Sequence, residues 1–378
     1  MREYGRMCED HRMVVRLGSR VLQWTTVTPV AAVILLVLTW GRDLPGLVVA
    51  LVTLVLAGAV LAAVHHAEVV AHRVGEPFGS LVLAVAVTII EVALIVTLMI
   101  DGGDKSATLA RDTVFAAVMI TCNGIVGLSL LVASLRHRVA VFNAEGTGAA
   151  LGTVATLATL CLVVPTFTTS APGPEFTTFQ LIFAALASLL LYGLFVTTQT
   201  VRHRDYFLPL TQHGEVITED EHAEAPTTRT AMVSLGLLGL ALVGVVGLAK
   251  GVSPTIESGV SAAGLPHAVV GVVIALLVLL PETIAALRAA RRDRVQTSLN
   301  LALGSAMASI GLTIPAVALA SVWLSGPLVL GLGATHMVLL ALTVVVGVLT
   351  VAPGRATPLQ GGVHLVLFLA FLELAANP

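Results

Sequence analysis

Two glutamates standing in otherwise apolar stretches are the residues with chemistry to offer. In residues 75–100, GEPFGSLVLAVAVTIIEVALIVTLMI, Glu91 is the only ionisable side chain from Phe78 onward. Residues 264–288, GLPHAVVGVVIALLVLLPETIAALR, repeat the arrangement, because a shift of 191 positions places Glu282 on Glu91, Gly271 on Ser80 and Ala275 on Ala84. On a helix, positions 80, 84 and 91 share one face, as do 271, 275 and 282, so each stripe of small residues ends in a carboxylate. A charge near mid-membrane costs roughly 2.5–3.5 kcal/mol on insertion scales. Two of them in matched places point to a use.

Two ionised glutamates in low dielectric repel, and either protons or one divalent cation removes the conflict. A hard cation such as Ca2+ takes about six to eight oxygens. Glu91 and Glu282 supply carboxylate oxygens, and Asn123, Asn300, Thr88 and Ser305 are further candidate donors. Pro281 has no N–H and is expected to leave the carbonyl of Leu277 without its helical partner, as one more oxygen. Occupancy by a cation or by protons, in turn, is the working principle of an antiporter. A passive channel is a different class, which needs a continuous pore and usually oligomeric symmetry, whereas the symmetry here is internal.

The elements that must hold these residues are membrane spans. The chain has 378 residues, 57% hydrophobic and 11% charged, far more apolar than a soluble domain. Eleven stretches approach the roughly 20 apolar residues that a spanning helix needs: 24–40, 44–64, 78–100, 112–134, 148–165, 177–201, 230–249, 267–288, 295–324, 328–350 and 358–374. Pro315 is expected to bend or break the ninth. Trp24, Trp40 and Trp323 fall at segment ends, where interfacial anchors belong.

With the amino terminus inside, the inside segments collect 16 of the 20 Lys and Arg and the outside segments the other 4. That bias predicts a cytoplasmic amino terminus and a carboxyl terminus outside, in the inner (plasma) membrane. Residues 1–23 read as an Arg-rich cytoplasmic tail rather than a cleaved signal peptide, 24–40 as a first span, 44–201 as five helices, 202–229 as an acidic cytoplasmic linker, and 230–378 as five more. Because five is odd, the second set enters the membrane in the opposite sense. The expected fold is therefore an all-α membrane protein with about 11 transmembrane helices, one at the amino terminus plus two inverted five-helix repeats.

A second matched pair supports the repeat: Thr121, Asn123 and Gly127 in the first half, Ser298, Asn300 and Gly304 in the second, at an offset of 177. The outside loop around residues 101–112 is longer than the inside loop around 288–294, which absorbs the difference from 191.

These residues resemble the calcium/cation antiporter superfamily, and within it the bacterial calcium/proton exchangers of the ChaA type. The resemblance rests on GEPFGS followed by TIIEVALIV, and on LLPETIAALRAARRDRVQTSLNLALGSAMASIGLTIPAVA. It implies that Glu91 and Glu282 bind the transported cation and protons in alternation, with Asn123, Asn300 and Ser305 nearby. The wider calcium/proton pattern carries Gly-Asn ahead of each glutamate, where this chain has Val87-Thr88 and Val278-Leu279. Two amide ligands are thus absent, and Na+ or K+ exchange stands beside Ca2+ exchange as the alternative.

Other polar residues carry a functional and a plainer reading. His65, His66, Glu68 and His72 form either a metal or proton-entry site or an interfacial polar patch. Glu76 and His72 are candidates for the cytoplasmic entrance, although an acid just before a helix also complements its dipole. His336 and His364 read as proton relays or as packed histidines. The linker acids read as a Ca2+ sensor or as solvated chain, and they lack the glycine and spacing of an EF-hand. The three cysteines have no metal spacing, near-neutral charge gives no support for nucleic-acid binding, and no HExxH, Ser/His/Asp or phosphate-loop pattern suggests an enzyme. No cofactor beyond the transported ions is expected. The expected partners are cations, protons and the lipid bilayer, with a homo-oligomer left open.

Overall fold

A computed structural model describes residues 24–42, 44–75, 78–102, 107–216, 226–323 and 326–378. The amino-terminal tail, Glu76 and the acidic centre of the linker, residues 217–225, lie outside the described residues. Among those described, the chain is helical almost throughout. α1 is Trp24–Thr39, α2 Gly46–Val74, α3 Phe78–Gly102, α4 Leu109–His137, α5 Ala144–Phe167 and α6 Thr178–Arg202. After the linker come α7 Thr228–Ala262, α8 Ala268–Val278, α9 Leu280–Arg291, α10 Val295–Ala320, α11 Ala334–Val351 and α12 Pro358–Ala376. Nine of these are long and apolar enough to cross a membrane, α8 and α9 form a pair bent by 52°, and α1 is a shorter apolar helix. With the bent pair taken as one span, ten of the eleven expected spans are long and apolar enough to cross, and the first is the shorter helix α1.

Local sequence explains several boundaries. Gly75 takes φ +76 and ends α2, a conformation that costs an L side chain but not glycine. Thr177 and Gln180 close a capping box at the start of α6, and Thr357 and Gln360 do so for α12. Asn143 caps α5 by accepting the Gly146 N–H at 2.9 Å. Pro315 does not break α10, which runs unbroken through Ala320. Tyr192 of α6 packs directly on Gly311, one turn before the proline, and braces the helix where the ring withdraws a hydrogen bond.

α4 is the most enclosed span and forms the hub. Its glycine at 127 meets Gly361 of α12 backbone to backbone: a Cβ at 361 would lie 2.7 Å from the Leu131 nitrogen and 3.0 Å from the Gly127 oxygen. Small residues let membrane helices approach this closely, where dispersion replaces the hydrophobic drive. α1 is held on α7 the same way, with Leu36 and Ala32 over Gly247 and Gly244. A short antiparallel pair, Ala140–Val141 with Arg355–Ala356, ties the α4–α5 link to the α11–α12 link.

The two glutamate helices run in opposite directions. α3 runs parallel to α10, through Glu91 with Ser309 and Ile95 with Val317, and α10 is antiparallel to α4, through Ser298 with Ser129 and Val317 with Ala110, so α3 and α4 are antiparallel. The α8–α9 pair runs parallel to α4, since Gly271 lies against Thr113 at one end and Arg136 donates to the Arg291 carbonyl at 2.8 Å at the other. α3 and α8–α9 are therefore antiparallel, as an inverted repeat requires.

Candidate ion-binding site

Glu91 sits on the inner face of α3, 5% exposed, with Thr88 three residues earlier also buried. Ser309 of α10 donates its hydroxyl to Glu91 Oε1 at 2.5 Å. That bond crosses between the two halves of the chain. It was not foreseen, although Ser305, Ser309 and Thr313 recur at i, i+4 and i+8 and so mark one face of α10.

Glu282 is placed by the break between α8 and α9. Pro281 falls at the start of α9, where its missing N–H does no harm, and Leu279 takes φ −85, ψ 1 at the bend. Glu282 thus stands in the first turn of a new helix, where unpaired N–H groups and the helix dipole favour an anion. Its carboxylate meets its own backbone N–H, while Oε2 is buried without a hydrogen-bond partner. The proline thus marks a new helix start, and Leu277, whose carbonyl is the expected extra oxygen, is not among the residues lining the cavity. The Leu279 N–H donates to the Ala275 carbonyl at 2.9 Å, and the Leu277 side chain packs with the α2–α3–α7 cluster.

Both glutamates line one cavity of about 230 Å³. α3 contributes Leu83, Ala84, Val87 and Thr88, α6 contributes Tyr192, Phe195 and Gln199, and α10 contributes Asn300, Gly304, Ser305 and Ser309. The two carboxylates lie close enough to act on one another, and Glu68 of α2 adds its field to Glu282. Glu68 in turn faces His72 and Arg288. All the α3 residues in the lining precede or include Glu91, and those of α6 come from its carboxyl-terminal half. The cavity therefore occupies only one side of the carboxylates, the side carrying Arg202 and Arg288–Arg294.

The matched asparagines part company. Asn300 lines the cavity, accepts from Gln296 Nε2 at 2.9 Å and donates to the Phe207 carbonyl at 2.7 Å, which leaves one carbonyl lone pair and one N–H for a ligand. Asn123 is fully buried in a π-helical turn and faces the other way. Its amide donates to Thr343 Oγ1 at 2.9 Å, and its carbonyl oxygen meets His364 Nδ1 at 3.1 Å. Thr343 donates onward to the Leu339 carbonyl, so the direction of the chain is fixed. His364 Nδ1 carries its proton, and Nε2 accepts from Thr350 Oγ1 at 3.2 Å. His364 is thus a packed histidine with both nitrogens satisfied.

His66 contacts the Thr25 carbonyl at 3.0 Å and links α2 to α1, away from any ion site. The His336 ring packs at a tilt against Phe115, with ring centroids 4.9 Å apart. His72 is exposed at the end of α2 and does not line the cavity. The α6 contribution had no sequence signal, because Tyr192, Phe195 and Gln199 look like ordinary span residues.

Among the described residues no group of three or more His, Cys, Asp or Glu gathers into a resident metal cage. The lining includes the two carboxylates, the hydroxyl residues Thr88, Tyr192, Thr297, Ser305 and Ser309, and the amides of Gln199 and Asn300. Such a donor set suits a hard cation.

Comparison with known proteins places these features. A family model described as sodium/calcium exchanger protein matches residues 44–201 and 233–376. The putative ionic transporter y4hA of Sinorhizobium fredii (strain NBRC 101917 / NGR234) is 46% identical over 375 residues, covering 97% of this chain and 99% of that one. The sodium-potassium/proton antiporter ChaA of Escherichia coli (strain K12) is 35% identical over 359 residues, covering 94% and 96%. Among solved structures, native YfkE matches with a TM-score of 0.69 at 16% identity, covering 94% of this chain and 99% of that chain, a likeness of fold.

Proposed function

Because this chain belongs to the sodium/calcium exchanger family, a family of cation antiporters, we propose that it exchanges Ca2+ for H+ by alternating access, with Glu91 and Glu282 holding the cation or the protons in turn. The observation that carries this reading is the shared cavity, in which one Glu282 oxygen is buried with no protein partner. A divalent ion satisfies that oxygen and offsets both charges at once. Thr88, Asn300, Ser305 and Ser309 complete the oxygen set. Asn123, Leu277 and His72 are left out of it, and Asn123 serves as the brace of α4.

A second reading, Na+ or K+ for H+, is favoured by the likeness to the sodium-potassium/proton antiporter ChaA of Escherichia coli. Loss of the amides that Thr88 and Leu279 replace points the same way. In either case the amino terminus, the 202–229 linker and the cavity mouth belong to the cytoplasmic side, because the arginines flank that end. The structure-bearing stretches 44–201 and 230–378 then act as the two halves that rock against each other.

Everted vesicles carrying the protein, with an imposed acid interior, test this directly. Ca2+ added outside should release protons with a saturable dependence, and Na+ and K+ should be weaker. Cation uptake with no counter-movement of protons would sink the antiporter reading. Stronger proton release by Na+ or K+ than by Ca2+ would transfer it to the second.

A further inference from the structure

Beyond Glu91 the cavity stops. One turn on, Ile95 of α3 packs with Ala110 of α4 and Val317 of α10, all three within 1% of complete burial, and Met99 and Leu328 lie against them. α4 and α10 are antiparallel here: Ser298 donates to Ser129 at 2.6 Å at one end, and Ala110 and Val317 share the apolar cluster at the other. Thr113 lies three residues from Ala110 on the way to Ser129, and Thr313 four residues from Val317 on the way to Ser298. Both therefore fall between the cavity and the apolar cluster.

These two threonines are fully buried, and neither hydroxyl has a hydrogen-bond partner. That is unusual within this chain, where Thr121, Thr283 and Thr343 all return their hydroxyls to the carbonyl four residues back at 2.7–2.8 Å. An unmade buried hydrogen bond is destabilising, and valine fills the same volume without it. Thr313 is directed toward the Glu91 carboxylate without bonding it. It continues the α10 face whose Ser305 and Ser309 line the cavity. Past the apolar cluster the surroundings turn polar again: Asp112 accepts from Thr108 Oγ1 and Arg111 Nε at 2.8 Å, and Arg111 reaches the Gly331 carbonyl at 3.2 Å.

We propose that Thr313 and Thr113 are ion-handling positions of the opposite half-route. They meet the partly dehydrated cation when Ile95, Ala110 and Val317 part and the cavity opens toward Asp112. This rests on the antiporter reading. The seam that must move is smooth, because Gly271 brings α8 against the α4 backbone at Thr113, where a Cβ would lie 3.1 Å from the Thr113 nitrogen. Hydroxyl and carbonyl oxygens suit an alkali or alkaline-earth cation that has already left its carboxylates.

The test uses full-length protein in sealed vesicles, with Thr313→Cys and Thr113→Cys made separately in a chain whose native cysteines are replaced. A charged, membrane-impermeant thiosulfonate is applied on the side opposite the cavity mouth. Both cysteines should react, at rates that change severalfold between cation-loaded and proton-loaded protein. In parallel, Thr313→Val should fold normally and lose roughly tenfold in turnover with little change in KM, while Thr313→Ser keeps wild-type exchange. Absence of labelling in every loading state, together with wild-type turnover of Thr313→Val and Thr113→Val, would overturn the proposal and make both residues packing groups. Labelling is read without transport, so an antiporter failure, seen as cation movement uncoupled from protons in the wild type, is told apart from failure of this route.

Discussion

Ser309 Oγ lies 2.5 Å from Glu91 Oε1, and the bond joins a helix of the first repeat to a helix of the second. No equivalent bond holds Glu282, whose second oxygen is left bare. The carboxylate pair is therefore asymmetric: one arm is fixed by the opposite repeat and the other has a buried oxygen with no hydrogen-bond partner. Removing the fixed arm's donor tests how much of the site depends on it. Ser309→Ala should raise the apparent KM for the cation by about 10–100-fold, the range expected for a hydrogen bond to a charged group, while Ser309→Thr keeps part of the contact.

Glu91→Gln and Glu282→Gln should each abolish exchange and leave insertion and the gel-filtration profile unchanged. A neutral amide in a buried, partly unpartnered position relieves desolvation, so thermal stability should hold or rise. Normal exchange by either variant would remove that residue from the site.

In the proposed exchange, protons and cation compete for the same two carboxylates. Apparent KM for the cation should therefore rise as pH falls, by up to about tenfold per pH unit for each proton displaced. A KM independent of pH over the active range would show that protons are carried elsewhere.

The two matched asparagines should separate on mutation. Asn300→Ala should weaken cation binding with modest effect on stability. Asn123→Ala leaves His364 and Thr343 without a buried partner and should cost about 1–3 kcal/mol of stability, read as a lowered melting temperature, with KM nearly unchanged.

Gly361→Val drives side-chain atoms into the Leu131 and Gly127 backbone and should prevent accumulation of folded protein. Gly304→Ala meets nothing within 4 Å and should fold, so any loss of exchange there reflects the cavity alone.

The sequence showed the spans, the paired glutamates and the repeat because each leaves a periodic signal: long apolar runs, isolated charges, and matched offsets of 191 and 177. It did not show which way each polar residue points. Asn123 and Asn300 carry the same local motif, yet a π-helical turn rotates Asn123 toward His364 and away from the cavity. Pro281 marked a break without revealing that it would set Glu282 in the first turn of a new helix. The α6 wall was invisible because Tyr192 and Gln199 reach the cavity through tertiary packing alone.

Gly127 and Gly304 close the same motif in the two halves, but the first is locked into the α4–α12 seam and the second faces open space. One copy has become a bearing and the other a wall. Substitutions along α10 can consequently reshape the cavity wall without loosening the α4–α12 seam, whereas a matching change in α4 strikes the packing of the hub.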